Sequence, residues 1–154
     1  MNNIISYVQN SKINFADIAE FILEDIFGYS GITLNIIENK KKAELFSTDD
    51  FEFSAFLEKS PFPNNYILWV KPGALTPTIL CHEMWHLKQY QEGRLSVSSD
   101  YKKVTFDKKE YDKNTKYSDR PWEIEAFAMQ STLLRQYKKK DKDKKKKCKL
   151  LFWK

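Results

Sequence analysis

The segment from Thr76 to Gly93 (TPTILCHEMWHLKQYQEG) constrains this chain more than any other, because it carries its own start and stop. Thr76 can cap a helix, Pro77 loses no hydrogen bond at the first helical position, and Gly93 stands where helices commonly end. On the helix so predicted, Leu80, Met84, Leu87 and Ile79 share one side, while His82 and His86 lie one turn apart on the other. One face can bury itself while the other presents two imidazoles. Met84 and Trp85 therefore read as packing residues. Cys81 points about 100° away from His82 and reads as a core thiol.

Two imidazoles four residues apart on a helix can reach one metal ion at about 2.0–2.1 Å. Glu83 sits beside them without being a ligand. From there its carboxylate can take a proton from a metal-activated water and pass it to a leaving amine. A His-Glu-x-x-His string arises by chance in roughly one chain of this length in a few hundred. Here the chain's 2 histidines both fall in the string, inside a helix with its own punctuation.

A catalytic zinc needs a third protein ligand and a position left for water. With both histidines used, that ligand has to be a carboxylate or a cysteine. Arg120-Pro121-Trp122-Glu123-Ile124-Glu125-Ala126 offers two acids at the start of a helix expected from Pro121 through Tyr137. Glu123 and Glu125 stand about 200° apart on such a helix, so only one of them can face the metal. The other can remain exposed or orient a ligand histidine. Gln89, on the ligand side of the first helix, is a candidate for the same supporting role.

The rest of the chain reads as one α+β domain over residues 1–137, followed by a basic tail over 138–154. Phe15, Ile18, Ala19, Ile22, Leu23 and Ile26 recur at helical intervals before Gly28, predicting a helix over 14–27. Residues 32–38 and 66–71 read as strands, the second well buried; residues 44–59 fit strand and helix equally, and 95–118 suggest a hairpin or an irregular excursion. The net charge of +5 divides unevenly: residues 135–154 carry +9 and residues 1–134 carry −4. The body is thus mildly acidic, and only the tail is basic. The Lys-rich tail, ending in Leu150, Leu151, Phe152 and Trp153, reads as a solvated, disordered end that could also meet nucleic acid or an anionic surface. No stretch is long and apolar enough to span a bilayer, and the 2 cysteines, Cys81 and Cys148, suggest no disulfide framework. A soluble, cytoplasmic protein is expected.

The string His-Glu-Met-x-His-x-x-Gln-Tyr, then Gly-x-Leu, then Pro-Trp-Glu-x-Glu-Ala, resembles gluzincin zinc peptidases, and in particular small metallopeptidases encoded by tailed bacteriophages. The resemblance covers roughly residues 66–137. It implies a small single-domain zincin-like fold, with a short sheet packed on the His-Glu-x-x-His helix and on a second, glutamate-bearing helix. It places Glu123 as third ligand to one Zn2+ with His82 and His86, makes Glu83 the general base and acid, and makes a peptide or protein the substrate. It also implies that Tyr66–Val70 is an edge strand able to hold an extended peptide. The histidine that stabilises the oxyanion in larger gluzincins has no counterpart, which leaves Tyr111, Tyr117 and Arg120 as candidates. If phage-encoded, the protein would work in the host cytoplasm or the virion. The rival expectation is a non-catalytic zinc-containing phage structural or host-interaction protein, but such a protein would have no need of Glu83.

Overall fold

Alternating aliphatic residues build the central strands of a four-stranded sheet. The computed structural model describes residues 1–7, 12–45 and 54–152. Strands β1 (Ile4–Tyr7), β2 (Thr33–Glu38), β3 (Ala55–Lys59) and β4 (Asn65–Val70) form the sheet in the order β1-β2-β4-β3. The first three of that order run parallel, and β3 is antiparallel to β4. Leu34 and Ile36 of β2 and Tyr66, Leu68 and Val70 of β4 all point to one face, where they are buried. Two helices cover that face. The first is α1 (Phe15–Phe21), capped by the Asn14 side chain at 3.0 Å from the Asp17 nitrogen and continued by a π-helical segment, Ile22–Ile26. The second is α3 (Pro77–Gln91), which follows the short α2 (Lys40–Leu45) in chain order.

The strand read as an edge lies inside the sheet. Residues 65–70 are paired on both sides, with β2 and with β3, so no extended peptide can add there. Among the described residues the edge strands are β1 and β3, and the edge beside α3 is β3, which falls within the ambiguous 44–59 stretch; residues 46–53 of that stretch lie outside the described residues. The Lys71 nitrogen bonds the Ser54 oxygen at 2.9 Å and the Ser60 nitrogen bonds the Asn65 oxygen at 2.9 Å, which sets the phase of the ladder. Alternate residues Ala55, Leu57 and Lys59 therefore turn their peptide groups away from β4, toward the open side.

Residues 95–112 make a second, antiparallel sheet of β5 (Leu95–Val97), β6 (Lys103–Phe106) and β7 (Lys109–Asp112). The turn between β6 and β7 is Asp107-Lys108 with φ of 48° and 68°, the left-handed pair that a two-residue hairpin needs. A 3-10 turn, Tyr117–Asp119, then leads to α4 (Pro121–Phe152), which packs along α3 through Trp122, Ala126 and Leu133. This last helix overruns its expected end at Tyr137: residues 138–152, expected to be disordered, continue it without a break. Lysine has good helix propensity and its charge complements a helix C-terminus, so the packed first half can propagate into the tail. Among the described residues no helix is long and apolar enough to cross a membrane, and neither cysteine is in a disulfide.

Leu68 lies at the centre of the covered face and is fully buried. Leu68→Ala is expected to lower the free energy of urea unfolding by about 2–5 kcal/mol, and a loss below about 1 kcal/mol would contradict this placement of the core.

Candidate metal centre

Helix α3 begins as its sequence requires, with the Thr76 hydroxyl accepting the Ile79 amide at 3.1 Å and Pro77 in the first turn, and Gly93 follows its end at φ 71°. Leu80, Cys81, Met84 and Leu87 are fully buried. Cys81 is a core thiol as expected, and burial pushes its pKa up to about 12. On the opposite side His82 and His86 set their rings edge to face, 4.9 Å apart.

Both rings aim Nε2 at one carboxylate. Glu123, in the first turn of α4, places Oε2 2.8 Å from His82 Nε2 and Oε1 3.1 Å from His86 Nε2. All three residues are at most 9% exposed, and among the described residues they are the group of metal-binding side chains that converges on one point. One ligand atom from each of the three lies within 4.8 Å of the others, against the about 3.3 Å that separates the ligand atoms of a tetrahedral zinc-sized ion, so a modest inward rotation of the side chains would let them hold one. The donor set therefore fits a divalent metal.

The other nitrogen of each histidine is fixed by a glutamine. His86 Nδ1 lies 2.8 Å from Gln89 Oε1, and His82 Nδ1 lies 3.0 Å from Gln130 Oε1. An amide oxygen can only accept, so each ring donates Nδ1–H to its glutamine, and Nε2 is the atom that a metal would take once the proton shared there with Glu123 is lost. Gln89 is held in turn, its amide nitrogen donating to the Trp122 carbonyl at 3.1 Å and to Glu125 at 3.3 Å. Glu125 also accepts from Trp85 Nε1 at 2.8 Å and from both terminal nitrogens of Arg94 at 2.8 and 2.7 Å. The two acids thus divide as their spacing demands, Glu123 facing the histidines and Glu125 supporting them from behind. Despite the desolvation that opposes it, Arg94, Trp85 and Gln89 bring the Glu125 pKa down to about 2. Trp85 does more than pack, since it helps hold this carboxylate.

Glu83 is buried between α3 and the sheet, where its carboxylate accepts the Leu57 amide of the edge strand. Burial raises its pKa, with the neighbouring His86 and His82 opposing. Of the three oxyanion candidates, only Tyr117 reaches the centre: its hydroxyl donates to Glu123 Oε2 at 2.8 Å. Arg120 is 5% exposed and spends its guanidinium on the carbonyls of Thr115 and Lys113 at 2.8 and 3.1 Å, and Tyr111 packs edge to face on Trp122 at 5.2 Å. Gln130 escaped the sequence reading. Its one signal there is its place seven residues, or two turns, beyond Glu123.

Comparison of the chain with protein-family models, curated proteins and solved structures finds no match.

Burial pulls the His86 pKa down, but the Glu123 carboxylate outweighs it and lifts the value to about 9. Glu123 itself is held well below the usual carboxylate range, since the two imidazoles overcome its desolvation. A metal has to displace the proton that His86 keeps below that pH. Metal affinity is therefore expected to rise with pH from about 6.5 to about 9, with proton release on binding measurable by calorimetry in buffers of different ionisation enthalpy. An affinity flat across that range would contradict the pairing of His86 with Glu123.

Proposed function

We propose that this chain is a zinc-dependent peptidase of gluzincin type, with His82, His86 and Glu123 as ligands and Glu83 as general base and acid. The observation that carries the reading is the convergence of three buried donors on one point, beside a buried carboxylate that is not one of them. A structural zinc would typically have a fourth Cys or His to close its shell. Among the described residues the other cysteine, Cys148, is exposed on the distal part of α4, and no third histidine exists. When bound, zinc would supply Lewis acidity, drawing the pKa of a water toward 7 and polarising a substrate carbonyl.

The chain's own residues account for the other steps. Glu83, its pKa raised by burial, accepts the proton of the attacking water and delivers it to the departing amine. The Leu57 amide fixes that carboxylate at the open side of β3, so an extended peptide paired with the outward peptide groups of Ala55 and Lys59 would run past it. Tyr117 shares its hydroxyl proton with Glu123 and is the donor best placed to turn to a developing oxyanion. Such a peptide has its place on β3 instead of the paired strand at 66–70.

Mass-spectrometric reading of a mixed peptide library tests the proposal. The zinc-loaded protein is expected to cleave it. Glu83→Gln should keep the metal and lose at least about a hundredfold in turnover, and Tyr117→Phe should keep the metal and lose about 10²–10³ in kcat. Cleavage at the parental rate by Glu83→Gln would overturn the mechanism.

A further inference from the structure

The distal half of α4 takes no part in the metal centre, yet its rotation about its own axis is fixed. The Tyr137 hydroxyl donates to Asp17 at 2.8 Å, the Tyr137 ring packs on Phe21 at 5.7 Å, and Lys140 pairs with Asp25 while lying 4.4 Å over the Phe21 ring. Lys144, one turn further on, lines the same recess with Glu24 and Asp25. One side of this lysine-rich helix is thus docked on the acidic side of α1 and its π-helical extension.

That docking decides where the remaining lysines point. At about 100° per residue, Lys138, Lys139, Lys142, Lys146 and Lys149 fall within one arc of about 100°, on the side away from Lys140 and Lys144. All five are exposed, and among the described residues only Lys140 and Lys145 of the segment 138–149 are ion-paired. Asp141 and Asp143 lie outside the arc. From Lys138 to Lys149 the stripe is about 16 Å long at 1.5 Å per residue.

We propose that this outward stripe is a phosphate-backbone surface that takes a nucleic-acid duplex without regard to its sequence. A rigid row of ammonium groups, with no carboxylate on it, complements the dense charge of a duplex. Attachment to a bilayer by an in-plane helix needs an apolar side opposite the basic one. Here the far side carries Lys140, Lys144 and Lys147, while the exposed Leu150 and Leu151 point about 100° apart at the end and form no such side. The stripe offers no hydrogen-bonding pattern for base edges, so binding discriminates charge density alone.

Fluorescence anisotropy of a labelled mixed-sequence DNA duplex, titrated with the full chain at several salt concentrations, tests this. The logarithm of affinity should fall with the logarithm of salt at a slope of about −4 to −5, as expected for about five neutralised phosphates. Lys142→Gln with Lys146→Gln removes two stripe charges and should weaken binding about tenfold or more while reducing the slope by about two. Lys144→Gln with Lys147→Gln removes the same charge from the other side and should change affinity less than about threefold. Circular dichroism checks that both double variants keep their helix. Equal losses from the two pairs would mean that net charge alone acts, and would overturn the stripe. So would absent duplex binding at low salt, or tighter binding to phosphatidylserine vesicles than to the duplex.

Discussion

The Glu123 carboxylate, shared between the Nε2 atoms of His82 and His86, is the contact on which the functional half of this molecule depends. It places a negative charge and two imidazoles where water is nearly excluded, an arrangement that costs several kcal/mol per ion unless each group is fully paired. The pairing is complete. Gln89 and Gln130 take the other histidine nitrogens, Tyr117 donates to Glu123, and no described buried side-chain polar atom lacks a partner. Because the histidines ride on α3 and the glutamate on α4, these bonds also fix how the two helices lie against each other, and the Trp85–Glu125–Arg94 contacts extend the same seam.

The sheet contributes to the site through its edge. Strands β2 and β4 supply most of the buried face, α3 meets the sheet at Tyr66 of β4 and along β3, and antiparallel β3 brings the Leu57 amide to Glu83. Fold and site therefore meet at two places, a carboxylate held by a strand and a carboxylate held by two helical histidines. Both depend on α3 being rotated so that Leu80, Met84 and Leu87 are inside.

Much of this was legible in local sequence chemistry. Helix α3 could be placed from Thr76, Pro77 and Gly93, and its two faces from spacing alone. The choice of Glu123 over Glu125 needs more, since helical geometry shows only that the two cannot both face the histidines; a resemblance points to Glu123, and the structure sets it against them. What stayed hidden depends on contacts distant in sequence. Nothing local distinguishes the interior strand at 65–70 from an edge, because the distinction is made by which segment pairs beside it. The hairpin at 107–108 uses Asp-Lys in place of the glycine-bearing pairs that announce such turns. The helical tail looked solvated because its charge density suggests disorder, and the acidic side of α1 that anchors it lies more than a hundred residues earlier.

The measurement closest to the central claim is the metal content of protein purified without added metal or chelator, by plasma mass spectrometry, for the parent chain and for Glu123→Ala. The account predicts about one zinc per chain in the parent and almost none in the variant, with the variant's fold checked by circular dichroism. A folded parent chain that holds no zinc and takes up none when it is supplied would contradict it.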